Sequence, residues 1–417
     1  MKKNLITKVA LAALATAAGA SAAQAQTPPA PAPTHSTSWT GTVGEDRFGE
    51  GRFKMRGRFQ YDVYSQDWDI GAEDQQRSYV RRAFLGVQGR LNEHFRYKID
   101  FILAPGDDAA GQVGVDDAFL EYVQDDWSLV LGESNVTSPL EDRISSLDIP
   151  FAERSSIVNA YEFGRRAGIA FLTGGANWSA GAAVQGDSLN NADNLSGGAN
   201  GDEGTAISGR FTFAPIFSTT PEGTTLVHLG LHARQRDSAA DADFQYRTRP
   251  LNGRGDRLVS GIAGQGDQDF TYGAEASVQF GSFGGTAEYM RLNGEQANGV
   301  EFESDGYYVD VFWSITGESR SYRGNQGSFG AVVPRQPLGS EGGFGHLMLS
   351  GRYDFIDLSD PAFGANRGEQ TAWAVGLDWV PIDHVRFKLN YALSDMDRTA
   401  AADDEAQVFT LRSQFDF

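Results

Sequence analysis

Apolar and polar side chains alternate with a period of two along most of this chain. From Phe53 to Val63 every second residue is apolar, aromatic or glycine, whereas Lys54, Arg56 and Arg58 lie between them. A period of two places the two sets on opposite faces of a β-strand. Such a strand belongs either to a soluble β-sandwich, with its apolar face inside, or to a membrane barrel, with its apolar face towards lipid.

Segments with this alternation recur from residue 52 to the end of the chain. The predicted strands span 52–65, 77–91, 94–104, 112–123, 126–134, 162–172, 176–186, 205–214, 224–236, 268–281, 283–293, 304–317, 343–356, 369–380, 383–396 and 406–417. Charges such as Lys98 and Asp310 lie in mid-strand, where they are costly against lipid but harmless against water. The pattern therefore predicts an all-β fold, a transmembrane antiparallel β-barrel of about 16 strands with an aqueous lumen.

The connections between these strands differ in length. Connections after odd-numbered strands are mostly long, the longest being 135–161, 187–204 and 237–267, whereas even-numbered strands are followed by short turns such as Ser282. Membrane barrels have long external loops and short periplasmic turns. One connection, 318–342, is long where a short turn is expected. Either it is a long periplasmic turn or the strand count fails there.

The N-terminal residues have the form of a secretory signal peptide. A basic start precedes an Ala/Leu-rich run and the small-x-small sequence Ala23-Gln24-Ala25. The apolar run is shorter than the roughly 20 residues of a membrane anchor. We expect cleavage after about Ala25, a flexible N-terminal periplasmic segment over 26–51, and a barrel domain over 52–417.

Composition narrows the class of protein. The net charge of -20 argues against nucleic acid as a partner. The mean hydropathy is -0.37, and no apolar run of about 18 residues follows the signal, which excludes a helical membrane protein but suits barrel strands. The chain contains no cysteine, so disulfides, thiol nucleophiles and cysteine-ligated metals are excluded. We predict no cofactor and no metal site.

Short blocks along the chain resemble the phosphate-selective porin O and P family. They occur in order and include Arg81-Arg82-Ala83-Phe84-Leu85-Gly86, Tyr97-Lys98-Ile99-Asp100-Phe101, Asp117-Ala118-Phe119-Leu120-Glu121-Tyr122, Pro139-Leu140-Glu141-Asp142, Phe151-Ala152-Glu153-Arg154-Ser155 and Arg165-Arg166. The resemblance implies a homotrimer of sixteen-stranded barrels in the outer membrane, with a third loop folded into the lumen. It also implies that arginines and lysines there attract anions such as phosphate or polyphosphate. The terminal Phe417 resembles the signal read by the barrel assembly machinery.

The loop over 237–267 carries the densest basic cluster. Its arginines lie close together around Pro250 and are Arg247, Arg249, Arg254 and Arg257. Arginine suits phosphate because its planar fork donates two parallel hydrogen bonds. The cluster either lies in the pore mouth, as in the family it resembles, or forms a solvated external loop that meets lipopolysaccharide phosphates.

Strand parity directs most of a second basic set towards the lumen. Its members are Lys54, Arg56, Arg58, Arg82, Arg96, Lys98, Arg166, Arg210 and Arg234. The third loop supplies the candidate constriction residues Glu141, Asp142, Arg143, Asp148, Glu153 and Arg154. Wall cations facing loop carboxylates produce either a transverse field across the pore or plain salt bridges. The fifth strand ends at Gly132-Glu133-Ser134-Asn135, where an anion-selective member is expected to carry a lysine.

Membrane-facing features complete the prediction. Trp127, Trp178, Trp313, Trp373 and Trp379 fit aromatic girdles at the two membrane interfaces, although ordinary strand packing also explains them. Acidic patches near residues 67–74 and 403–405 fit either divalent cations that bridge lipopolysaccharide or a solvated surface.

These observations favour a water-filled channel for small hydrophilic solutes that leans towards anions, and not an enzyme. A general diffusion channel without phosphate specificity is the nearest alternative. An outer-membrane barrel enzyme is a different class of protein; His228 and His232 share one strand face, but nothing groups them into a catalytic triad. A closed structural barrel is disfavoured because about sixteen strands leave an aqueous channel.

Overall fold

The alternating segments form one antiparallel barrel. A computed structural model describes residues 40–46, 49–70, 73–104, 113–190, 203–238 and 244–417. The predicted signal peptide and residues 26–39 of the predicted N-terminal segment lie outside these residues. Residues of that segment from Thr40 to Asp46 form a strand, β1, that pairs antiparallel with the chain following it.

Sixteen strands of the described residues make up the barrel wall. They are β2 Gly49–Trp68, β3 Gln75–Arg90, β4 Phe95–Ala104, β5 Gly114–Val123, β6 Trp127–Ser134, β7 Arg166–Gly174, β8 Trp178–Gln185, β9 Thr205–Thr220, β10 Gly223–Asp237, β12 Ser260–Phe280, β13 Phe283–Gln296, β14 Glu301–Ser314, β17 His346–Leu358, β18 Gly368–Ile382, β19 Val385–Arg398 and β20 Asp404–Asp416. Each strand pairs with its neighbours in sequence, and β20 pairs with β2, which closes the ring. Each predicted strand overlaps one of these, so the predicted fold class is confirmed.

Shorter elements lie between the barrel strands. The loop after β6 contains two short helices, α1 Leu140–Arg143 and α2 Ser156–Ala160. Strand β11, Phe244–Arg247, pairs with the start of β12, which therefore begins eight residues before its predicted start at 268. Among the described residues, no helix combines the length and the apolar character that crossing a membrane requires.

The two faces of each strand differ as the alternation predicts. In β14, Val309 and Val311 are 44% and 59% exposed on the outer face, whereas Tyr308 and Asp310 on the other face are 1% and 3% exposed. The outer face is apolar and open, as a surface against lipid must be. The inner face is polar and mostly buried, so folded-in segments cover much of it.

Two strands depart from their predicted limits for local reasons. Strand β9 continues past Pro215 to Thr220, because a bulge opposite His228 accommodates the proline. Proline lacks an amide donor and is tolerated in strands at bulges. Strand β7 begins at Arg166 instead of 162, since Glu162 and Gly164 have φ angles of 48° and 36°, which end the preceding loop.

Aromatic side chains cluster at two levels of the outer face. At the end with short turns, Trp313 stacks on Phe283 with ring centroids 5.4 Å apart, and Trp127 stacks on Phe171 at 5.8 Å. Nearer the end with long loops, Trp373 meets Tyr353 edge to face. Amphipathic rings at two levels are typical of the girdles that flank a barrel's apolar band.

Three connecting segments fold into the lumen. The loop over 135–165 hydrogen-bonds to inward side chains of both β2 and β12, through Gln60 and Glu275, which stand on opposite sides of the ring. The segment over 248–259 leaves β11 and reaches Gln66 of β2 through Asn252. A segment that joins opposite inner walls of a closed barrel must lie inside it.

The third folded-in segment is the long connection that sequence alone left ambiguous. Between β14 and β17 the chain forms a small hairpin, β15 Tyr322–Arg323 with β16 Ser328–Phe329. It enters from the short-turn end, where Phe329 is fully buried and the Tyr322 hydroxyl lies 2.7 Å from His228 Nδ1 on the inner wall. The connection is therefore a long turn, and the strand count holds.

Candidate functional site

Buried ion pairs attach the third loop to the barrel wall. Glu153 accepts hydrogen bonds of 2.7 Å from both Arg81 Nε and Arg412 Nη2. Burial alone would raise the pKa of the Glu153 carboxyl, but these two guanidiniums hold its pKa well below its ordinary value. Glu141 pairs in the same way with Arg352, which also binds Asp310 at 2.7 Å. These loop carboxylates lie in salt bridges with wall arginines, one of the two arrangements that the sequence left open.

Wall cations also hold the backbone of this loop. Arg386 donates to the carbonyl of Leu147, and Lys388 donates to that of Ile149. Arg386 lies 3.6 Å from Asp148, the candidate constriction residue nearest to it. Carbonyl oxygens that the loop cannot pair internally thus find charged donors on strand β19, which fixes the loop's position.

The remaining loop candidates bind mainly within the loop. Arg154 donates to three carbonyls there, including that of Ile144 at 3.0 Å, and lies 3.5 Å from Asp142. Arg143 donates to the carbonyl of Asn135 at 3.4 Å. Among the described residues no carboxylate forms a salt bridge with Arg143, so its charge adds to the positive potential beside the loop.

A chain of alternating charges runs along β2, β4 and β5 and ends at Arg165 of the third loop. Arg56 lies 3.3 Å from Asp100, and Asp100 lies 3.4 Å from Lys98. Lys98 binds Asp117, which also accepts from Arg165 Nε at 2.8 Å. Arg165 then reaches Asp116 at 3.1 Å. Three cations and three carboxylates balance, so this network by itself contributes no net charge.

Two further arginines stand beside that network without a carboxylate. Arg82 donates to the Gln60 side chain at 2.9 Å, and Arg58 donates to the Ser146 hydroxyl at 3.0 Å. Within the described part of the chain, neither forms a salt bridge. Gln60 also donates to the carbonyl of Ser146, so Arg58 meets the third loop directly and Arg82 is connected to the same residue through Gln60. This point, around Ser146, carries uncompensated positive charge.

The other wall candidates lie elsewhere. Arg166 binds Asp187 at 3.2 Å, Arg210 pairs with Glu275, and Arg234 donates to the carbonyl of Tyr161 at 2.7 Å. Lys54 lines a small cavity with Arg56 and Arg58 at the short-turn end. Arg96 is exposed near the start of β4. The structure therefore does not gather all nine predicted wall cations around one opening.

The basic cluster of the fifth loop lies in the lumen-spanning segment and its flanks. Arg249 Nε donates to the carbonyl of Gly255 at 3.1 Å, and its own carbonyl accepts from Gln370 of β18. The Arg254 guanidinium lies 4.9 Å from the ring centre of Tyr79 on β3. The two remaining members, Arg247 and Arg257, are partly buried. The segment thus occupies the lumen, the first of the two placements that the sequence allowed.

Sequence reasoning missed the arginines that bind the loop carboxylates. Arg81 is directed inwards by a bulge opposite Gln60 and Tyr61, which a strict period of two cannot show. Arg352 and Arg412 lie on predicted strands at inward parity, so alternation already contained their direction. Their partners lie 200 or more residues away in sequence, and only the closed ring brings them together.

The end of the fifth barrel strand, where a lysine is expected, carries a carboxylate that is hydrogen-bonded to another loop. Glu133 at the end of β6 is fully buried and accepts from the Ser188 hydroxyl at 2.7 Å and the amide of Leu189 at 3.2 Å. These donors come from the start of the fourth external loop. The Glu133 charge is therefore engaged by that loop and not by the arginines at Ser146.

Comparison with known proteins decides the family. The family model described as phosphate-selective porin O and P matches residues 53–417. The chain belongs to this family. The porin is 25% identical to Porin O of Pseudomonas aeruginosa, with 88% of each chain covered. It is 32% identical to a protein of Caulobacter vibrioides, with 88% of this chain and 75% of that protein covered.

Solved structures agree on the fold of the porin. An anion-selective porin from Comamonas acidovorans superposes with a TM-score of 0.52 at 12% identity, covering 88% of this chain and all of that one. OmpT of Vibrio cholerae superposes with a TM-score of 0.54 at 10% identity, covering 88% and 98%. This protein is thus an outer-membrane β-barrel porin. Members of its family are channels without enzymatic activity, which confirms the expectation that it is not an enzyme.

Proposed function

We propose that this porin conducts small anions in preference to cations, and that phosphate-like oxyanions bind in its constriction. The observation that carries the proposal is the pair Arg58 and Arg82 beside Ser146. Their guanidiniums donate to neutral groups, while the neighbouring carboxylates are balanced by Arg56, Lys98 and Arg165. An anion that sheds part of its hydration needs fixed donors and positive potential, and this point offers both.

The fifth-loop arginines support the same proposal. Arg249 and Arg254 lie in a segment that crosses the lumen and contacts β18 and β3. Anions entering from the long-loop end meet this segment on the way to Arg82. Cationic side chains along a narrow passage raise the local anion concentration.

Charge-neutral variants test the proposal directly. For purified porin in planar bilayers under a KCl gradient, the sign of the reversal potential should show that chloride permeates better than potassium. Arg82→Gln and Arg58→Gln should each lower that preference by about twofold or more, since one charge about 10 Å from a passing ion in water contributes ~0.4 kcal/mol. Arg96→Gln, an exposed arginine away from this point, is the matched control. A cation preference in the wild-type porin would overturn the proposal.

A general diffusion channel is the alternative that Glu133 favours, because this position lacks the expected lysine. The two functions differ in their response to phosphate. In a phosphate-binding channel, added phosphate should block chloride current in a saturable way, and Arg82→Gln should weaken the block. If added phosphate leaves the chloride current unchanged, the porin is a general diffusion channel.

We further propose that the porin is exported and assembles as a homotrimer. A signal peptide cleaved after about Ala25 supports export, and mass spectrometry of the mature protein tests the site. A trimer form of OmpT of Vibrio cholerae, a structural neighbour, supports the assembly state. Light scattering of the detergent-solubilised porin measures its mass, and a monomer would refute the trimer.

The terminal Phe417 supports recognition of the porin by the barrel assembly machinery. The backbone of Phe417 pairs with Gly57, where a Cβ would lie 2.2 Å from the Phe417 ring.

A further inference from the structure

A buried cluster of two carboxylates and one imidazole lies on the inner wall under the third loop. Glu275 of β12 and Glu288 of β13 are directly opposite each other in the strand register. His232 of β10 is opposite Gly273, where a Cβ would lie 2.5 Å from the His232 Nε2 atom. Glycine at that position therefore leaves the space that the imidazole occupies. One nitrogen of His232 and one oxygen of each carboxylate lie within 4.8 Å of one another.

His232 lacks a hydrogen-bond partner. Its side chain is 5% exposed, and among the described residues neither Nδ1 nor Nε2 meets a donor or acceptor. The ring contacts Phe163 edge to face, which satisfies neither nitrogen. Buried polar atoms are almost always paired, so this histidine requires a partner that the described part of the chain does not supply.

The two carboxylates differ in their partners: Glu275 pairs with Arg210 and lies 3.1 Å from His228 Nε2, whereas among the described residues no cationic side chain forms a salt bridge with Glu288. The amide of Leu140 donates to an oxygen of Glu275 and to one of Glu288, at 3.0 Å each, and the other donors to Glu288, the Glu141 amide and the Tyr308 hydroxyl, are neutral. The connected buried set contains four carboxylates, two guanidiniums and one imidazole, namely Glu141, Glu275, Glu288, Asp310, Arg210, Arg352 and His228. Such an excess must be neutralised by protons or by a cation. A divalent cation carries the charge that balances it.

We propose that His232, Glu275 and Glu288 bind one divalent transition-metal ion of the Zn²⁺ class. One imidazole nitrogen with carboxylate oxygens suits zinc and its neighbours, whereas Ca²⁺ and Mg²⁺ prefer oxygen ligands alone. The sequence shows no metal motif, because the three residues lie on different strands and the register of β10, β12 and β13 brings them together. This site is independent of the proposed anion selectivity.

The site has a direct connection to the third loop. The amides of Leu140 and Glu141 begin helix α1, and both donate to the candidate ligands. A metal ion bound to Glu275 and Glu288 would therefore sit beneath the start of that loop. Metal binding would therefore act on the same carboxylates that hold the third loop against strands β12 and β13.

Calorimetric titration of folded, chelator-treated porin with ZnCl2 tests the proposal. We expect one Zn²⁺ per chain in the wild type. His232→Ala and Glu288→Gln should each weaken binding at least about tenfold, since even outer-shell changes commonly cost 10–100-fold. The matched control is His346→Gln, a buried histidine that contacts Ser314 instead and should leave the affinity unchanged.

Glu288→Gln keeps an acceptor for the Tyr308 hydroxyl, which donates to Glu288 at 2.6 Å, so this variant preserves the local fold. Bound Co²⁺ gives a second readout, because loss of a nitrogen ligand in His232→Ala should shift its visible absorption bands. Three outcomes would overturn the proposal: no Zn²⁺ binding by the wild type, affinity unchanged by His232→Ala, or equal competition by Mg²⁺. The last two would leave the acidic pair neutralised by protons or by any cation.

Discussion

At the scale of single residues, buried arginines connect the third loop to the wall. Arg412 is fully buried and binds three groups at once: Asp62 at 2.7 Å, Glu153 at 2.7 Å and the carbonyl of Ala152. Arginine can do this because its planar fork carries five donors. One side chain thus joins β2, β20 and the loop.

Removing Arg412 should destabilise the barrel markedly. Arg412→Met removes the salt-bridge partner of the buried Asp62 and one of the two arginines that bind Glu153. Breaking such a buried pair costs about 3–5 kcal/mol of unfolding free energy. Urea unfolding in detergent measures the change. Arg291→Met, which breaks an exposed pair with Glu303 on the outer face, is the control and should show no measurable shift. Equal stability of the two variants would contradict the anchoring role.

Acid should weaken the same anchor. The pKa of Glu153 is depressed in the folded state from its ordinary value of 4.5. Its contribution to stability is therefore complete above pH 4.5 and is lost as the pH falls through the lower folded value. The wild type should lose stability below about pH 4.5, and Glu153→Gln should lose less over the same interval. Urea midpoints at a series of pH values check this, and parallel curves would contradict it.

Residue-level prediction from sequence succeeds where parity is regular. The inward directions of Arg58 and Asp310 follow from alternation alone. Alternation does not predict the inward direction of Arg81, because a bulge shifts the position of that residue within the period of two. The functional candidate His232 shows a second kind of failure, since alternation alone does not mark it as a metal ligand. Its significance comes from Glu275 and Glu288 on neighbouring strands, a relationship that depends on strand register and not on spacing along the chain.

At the scale of elements, the long turn over 315–345 closes part of the lumen at the short-turn end. Arg320 of this turn is buried between the rings of Phe312 and Phe329, with its guanidinium 5.2 and 4.4 Å from their centres. Phe329 belongs to an apolar cluster with Leu140 of the third loop. Two folded-in segments therefore support each other inside the barrel.

Shortening this turn should widen the channel. Replacing residues 319–341 with a short Gly/Asn turn removes the hairpin and leaves the strand ladder of β14 with β17 intact. Single-channel conductance should rise, because the hairpin no longer occupies the lumen. Phe329→Leu, which keeps the turn and its apolar contact, should conduct as the wild type does. An unchanged conductance in the shortened protein would place the narrowest point elsewhere.

Element boundaries are less predictable than element number. All sixteen barrel strands follow from alternation, since hydrocarbon outside and polar segments inside impose it along the whole wall. The predicted strand 205–214 stops before Pro215, but a bulge carries β9 past the proline to Thr220. The inward course of the 248–259 and 315–345 segments has no periodic signature, because their contacts are made with distant strands.

At the scale of the whole molecule, the net charge of the chain and the charge beside the third loop have opposite signs. The chain carries a net charge of -20, yet the wall residues Arg58 and Arg82 and the third-loop residue Arg143 form no salt bridge among the described residues. Total charge acts at long range and is screened by salt, whereas charges inside a narrow passage act over a few ångströms. The sequence total therefore does not decide selectivity.

Ionic strength separates these two contributions. The screening length falls from about 30 Å at 0.01 M salt to about 3 Å at 1 M. Anion preference set by contact with Arg82 should persist at 1 M KCl and grow stronger as salt is diluted. Reversal potentials at a fixed twofold gradient over this range measure it. Preference that vanishes at 1 M would assign selectivity to the distant field instead.

The seam between β2 and β20 has a consequence for biogenesis. It joins Arg58 to Asp416 and Trp68 to Ala406, pairs that are more than 300 positions apart. A polymer loop of that length closes slowly, because its entropy must be lost before the pairing repays it. Until the final strand arrives, the first one presents an unpaired edge that invites aggregation. Ring closure is therefore the step at which a catalyst of insertion has most to contribute.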